Sequence, residues 1–86
     1  EYSDINLIIN EHIKKLMDDR LILEADIKKV IGYGEENQNI FYNTENNHYL
    51  AFRRILNVTY WVEYVKLGNA YEIVTIYSHR MDVQGE

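Results

Sequence analysis

Residues 57–80 read Asn57-Val58-Thr59-Tyr60-Trp61-Val62-Glu63-Tyr64-Val65-Lys66-Leu67-Gly68-Asn69-Ala70-Tyr71-Glu72-Ile73-Val74-Thr75-Ile76-Tyr77-Ser78-His79-Arg80. Two runs rich in β-branched and aromatic residues flank Gly68-Asn69, which suits a two-residue hairpin turn in which Gly supplies a positive φ. Pairing Leu67 with Ala70 puts Tyr64 opposite Ile73, Val62 opposite Thr75, Tyr60 opposite Tyr77 and Val58 opposite His79. The other side of the ribbon then carries Thr59, Trp61, Glu63 and Val65 against Ser78, Ile76, Val74 and Glu72. A preceding hairpin adds Leu50 and Phe52 to the first side, and Tyr49, Ala51 and Arg53 to the second. The first side is the more continuously apolar and is expected to be the core.

Upstream, the residue preferences change. From Asp4 to Asp19, Ile5, Ile8, Ile9, Ile13, Leu16 and Met17 recur at helical spacing, which predicts an amphipathic helix over about 4–19 with Ser3 or Asp4 as N-cap. A second helix is expected over about 24–37, with Ile27, Val30, Ile31 and Gly34 on one side; Gly32 and Gly34 weaken its last turns. Strands are expected near 40–42, 48–53, 57–66 and 70–80. The expected fold is therefore α+β, a single domain over residues 1–86, with two N-terminal helices packed on one face of a three- to four-stranded antiparallel β-meander.

The chain has 86 residues, which suffices for one small domain with a modest core and leaves little room for a deep substrate cavity. A self-contained enzyme is not expected. Net charge is −5, and the acids concentrate before residue 48. Lys and Arg never cluster beyond pairs, so neither nucleic acid nor a membrane surface is an expected partner. With no cysteine there is no disulfide framework or thiolate site, which suits a reducing cytoplasm. No apolar run approaches a membrane span and residues 1–4 do not resemble a signal peptide, so a cytoplasmic location is expected. The start at Glu1 suggests a fragment of a longer protein.

Residues 32–37, Gly32-Tyr33-Gly34-Glu35-Glu36-Asn37, begin like a dinucleotide fingerprint but lack the third glycine and set two acids where a pyrophosphate would approach. His12, His48 and His79 are spaced too widely for a metal site, so none is expected, and no cofactor or catalytic residue is assigned. Glu63 sits among apolar neighbours without a second carboxylate and reads as an exposed or interface acid. Asn57-Val58-Thr59 matches a glycosylation acceptor, which has meaning only in a secreted chain. Eight tyrosines, six of them in expected strands, suit both a small β-rich core and an interface. Without a basic groove they do not read as a single-stranded nucleic acid platform.

The stretch Leu21–Val83, above all His48-Tyr49-Leu50-Ala51, Asn57-Val58-Thr59-Tyr60-Trp61-Val62-Glu63-Tyr64 and Tyr77-Ser78-His79-Arg80-Met81, resembles a small accessory domain of bacterial NAD(P)- and flavin-dependent oxidoreductases related to the glutamate synthase small subunit. The resemblance implies a bacterial, cytoplasmic module whose redox machinery lies elsewhere in its host. It carries no flavin, nicotinamide or iron–sulfur residue onto this chain.

Two working surfaces follow. The apolar excess on the second side of the sheet, Trp61, Val74, Ile76, Val65 and Tyr49, predicts a protein-interaction face for a partner, a host domain or a second copy. The alternative is a regulatory small-ligand site near His48, His79 and Arg80 with Tyr77. A stand-alone antitoxin- or immunity-type protein with a strongly basic partner also fits the charge.

Overall fold

A computed structural model describes residues 2–80. The elements run β1 (Asn6–Ile8), α1 (Glu11–Arg20), α2 (Glu24–Asn37), β2 (Ile40–Asn43), β3 (His48–Ile55), β4 (Val58–Leu67) and β5 (Ala70–Arg80). The strands form one five-stranded sheet of order β1-β5-β4-β3-β2, antiparallel except for the β1–β5 pair. The α+β class is as the sequence predicts, whereas the purely antiparallel meander of three or four strands is corrected to a mixed sheet of five.

The main departure lies at the N-terminus. Residues 6–8, expected inside the first helix, pair in parallel with Ala70–Glu72. Asn10 then caps α1, its side chain accepting from the Ile13 N–H at 2.9 Å. Ile5, Ile8 and Ile9 fit a helical stripe, but in the extended chain Leu7 and Ile9 pack against the core while Ile8 is exposed. The unpaired lower edge of β5 supplies the backbone partners that make that extension favourable. The second helix spans the expected residues. Its glycines serve close approach rather than termination: a Cβ on Gly32 would collide with the Tyr2 ring, and one on Gly34 would press on Ala51 of β3.

Both helices cover one face of the sheet. Ile13, Ile22, Ile27, Val30 and Ile31 meet Ala51, Val62, Tyr64, Ile73 and Ile76, all buried. The hairpin register holds from Leu67↔Ala70 to Tyr64↔Ile73; Glu63 then pairs with Thr75, leaving Val74 as a β-bulge. Beyond the bulge every residue of β5 is displaced by one. Ile76, Ser78 and Arg80 therefore stand opposite Val62, Tyr60 and Val58, in place of the expected Thr75, Tyr77 and His79. On β3, Tyr49 and Ala51 face Tyr64 and Val62, so Leu50 and Phe52 lie on the open face rather than in the core.

The β3–β4 connection is the two-residue loop Leu56-Asn57 between the paired Ile55 and Val58. Leu56 adopts φ +58° and is 88% exposed. A left-handed backbone costs an L-residue with a bulky side chain about 1–2 kcal/mol, and Asn less. Leu56→Asn is therefore expected to raise stability by roughly 0.5–1 kcal/mol, read as a higher urea midpoint at unchanged slope.

Candidate functional site

The sheet carries an aromatic ladder on each face. On the helix side, Tyr42, Tyr49, Tyr64 and Tyr71 pass from β2 to β5 with centroids 4.7, 5.5 and 5.5 Å apart. Tyr64 is fully buried and donates to Glu35 Oε2 at 2.7 Å, while Lys66 Nζ pairs with the same carboxylate at 3.1 Å and lies over the Tyr49 ring. Burial, and then the hydrogen bond to the Glu35 carboxylate, push the Tyr64 phenol far above the ordinary tyrosine range. Tyr64 is core with Tyr49 and Tyr71 packed against it, whereas Tyr42 is exposed and donates to Asn47 Oδ1 at 2.7 Å.

The second ladder lies on the open face. Phe41, Phe52, Trp61 and Tyr77 come one from each of β2, β3, β4 and β5, with centroid spacings of 5.7, 4.9 and 6.1 Å and ring planes within 26° of parallel. Alternation produces it, because these are the residues next in sequence to the buried or inward-facing Ile40, Ala51, Val62 and Ile76. No element of the described residues packs on this face; Phe41 is 60% exposed and Tyr77 41%. On one flank stand Leu50, Val65 and the pair His48 Nδ1–Glu63 Oε2 at 2.6 Å; on the other stand Arg54, Thr59 and His79.

Neighbouring ring planes are near parallel with centroids 4.9–6.1 Å apart, so the ladder is one continuous aromatic strip across four strands. Such a strip matches the closely fitted, aromatic-rich centre of a protein interface.

Of the residues assigned to the interaction face, Trp61 and Val65 lie on the open side, and Val74 occupies the bulge, half-buried. Ile76 and Tyr49 do not belong there. The bulge turns Ile76 into the core, and the β3 register stacks Tyr49 on Tyr64 on the helix side. Phe41 and Phe52 take their places, a result that the correct β3 register would have shown. The histidine reading also meets a correction. His48 stands one step past the Tyr49↔Tyr64 pair and His79 opposite Thr59, an offset of roughly 20 Å along the strands, so the two do not share a site. Tyr77 shares the open face with His79, while Arg80 ends β5 on the opposite side. Between α2 and β3, Lys28, Lys29 and Arg53 line a cleft of about 490 Å³ with Tyr2, Ser3 and Glu24.

Among the described residues no group of three or more His, Cys, Asp or Glu is arranged to hold a metal ion, and no helix is long and apolar enough to cross a membrane. No protein-family model matches the chain, and no curated protein or solved structure matches it significantly.

Proposed function

We propose that this domain is a non-catalytic interaction module whose working surface is the open sheet face, with the ladder Phe41–Phe52–Trp61–Tyr77 at its centre. The observation that carries this reading is the run of four stacked rings across four strands on the face the helices leave uncovered. The rings stabilise one another, each stacked pair contributing about 0.5–1.5 kcal/mol, and fix a rigid apolar strip before any partner arrives. The host proposed is the one the resemblance implies, a bacterial cytoplasmic NAD(P)- and flavin-dependent oxidoreductase, and it rests on the motifs quoted above alone.

The test is a photo-crosslinking residue placed at position 52 in cells, with the same residue at position 15, exposed on α1, as control. Adduct with another protein or host domain is expected from position 52 alone. Trp61→Ser is expected to lower its yield at least tenfold while the amide spectrum stays dispersed. Should Trp61→Ser unfold the domain, Phe41→Ser at the ladder's end, exposed and in a peripheral strand, provides the same comparison. A folded protein that crosslinks equally from both positions, or from neither, overturns the proposal.

A further inference from the structure

Among the described residues, one edge of the sheet is only partly paired. β5 runs from Ala70 to Arg80, but β1 pairs with Ala70, Tyr71 and Glu72 only. The direction of the remaining backbone groups follows from the neighbouring hairpin. Ile55 and Val58 close a two-residue loop, so they form a hydrogen-bonded pair, and such pairs alternate along an antiparallel ladder. Val58, Tyr60 and Val62 thus direct their N–H and C=O groups at β3. Their partners on β5, Arg80, Ser78 and Ile76, then turn their own N–H and C=O away from β4, toward the edge. A separate contact agrees: the Ile76 carbonyl accepts a hydrogen bond from the Arg20 guanidinium at 2.5 Å, a side chain occupying a position that a neighbouring strand would fill. Tyr77, Ser78, His79 and Arg80 are all exposed.

This edge is basic in a protein of net charge −5. Arg20 reaches the edge at Ile76, His79 and Arg80 lie further along it on opposite faces, and among the described residues neither arginine has a carboxylate partner. We propose that the edge of β5 from Ile76 to Arg80 is a docking site for an extended acidic segment of a partner protein, which adds to the sheet as a further strand. The inference is independent of what the open face binds. Main-chain hydrogen bonds from Ser78 and Arg80 supply affinity, as in other strand-addition complexes. Arg20 exchanges a neutral carbonyl for a carboxylate of the incoming strand, a stronger charge-assisted bond, and so frees Ile76 to pair. A second copy of this chain suits the edge less, because antiparallel β5–β5 pairing would set Arg20, His79 and Arg80 of each copy against their counterparts.

The probes are two capped octapeptides, one alternating Thr and Glu, the other Thr and Lys, added at millimolar concentration to the 15N-labelled domain. The Glu peptide is expected to shift the Ile76, Ser78 and Arg80 amides and slow hydrogen exchange at Ser78 at least tenfold; the Lys peptide is expected to do neither. Ser78→Pro removes an outward N–H without touching the β4 ladder, a position where an edge strand accepts proline. It is expected to keep the folded spectrum and weaken Glu-peptide binding at least tenfold. If that variant fails to fold, Arg20→Gln is expected to show the same loss. Absence of shifts, equal response to both peptides, or undiminished binding by the folded variant overturns the proposal. So does protection of Ser78 that grows with protein concentration alone, which would make a second copy the occupant.

Discussion

Tyr64→Ala is expected to destabilise the domain by about 3–5 kcal/mol, the usual cost of deleting a buried aromatic ring. Among the described residues Tyr64 is the largest fully buried side chain, and its ring meets Tyr49 on one side and Tyr71 on the other. A domain of this size commonly has about 5–10 kcal/mol of stability in all, so the variant should be largely unfolded at modest urea. Tyr64→Phe keeps the ring and removes only the donor to Glu35, which Lys66 still holds; a loss of about 1 kcal/mol is expected. The pair of variants separates packing from hydrogen bonding at one position.

The same residue gives the fold an alkaline limit. Its phenol is raised in the folded state, by burial first, so folding favours the neutral form. Its contribution is fully present below the unfolded value near pH 10 and is lost above it, as the unfolded chain ionises and the folded one does not. Urea midpoints at pH 8, 10 and 11 should fall more steeply for the native sequence than for Tyr64→Phe. Parallel curves would show that the phenol is not held neutral by the fold.

The second large effect concerns the bulge. Ile76→Ala is expected to cost about 2–5 kcal/mol, since Ile76 is fully buried. Excision of Val74, by contrast, is expected to leave a folded domain. Without it, Ile73, Thr75 and Ile76 become successive partners of Tyr64, Glu63 and Val62, a regular ladder with each side chain on the face it already occupies. Had the strand alternated without interruption, Ile76 would lie on the open face, Ile76→Ala would cost little, and the same excision would reverse the faces of every residue from Thr75 to Arg80. Circular dichroism and urea titration of the two variants decide between these registers.

The candidate surface shows where sequence reasoning succeeds and fails. Trp61 and Val65 are placed on the open face by alternation along β4, whose inward residues Val62 and Tyr64 are correctly read. Phe52 is misplaced because the length of the β2–β3 and β3–β4 turns was not legible: Leu56 adopts a left-handed backbone that its side chain disfavours, so no Gly or Asn marks the first turn position. Ile76 is misplaced by one inserted residue in a run, Ile73-Val74-Thr75-Ile76, where every residue suits a strand and none signals a bulge.

Local chemistry alone determined the second helix, the Gly68-Asn69 hairpin and the two-layer α+β class, because periodicity, turn geometry and strand preference act over a few residues. Only the tertiary structure decided that residues 6–8 form a strand, that Val74 bulges, and that Phe41, Phe52, Trp61 and Tyr77 align. Each depends on which backbone edge or buried neighbour lies across the sheet. A one-residue change in that pairing moves whole sets of side chains between faces while local preferences stay the same.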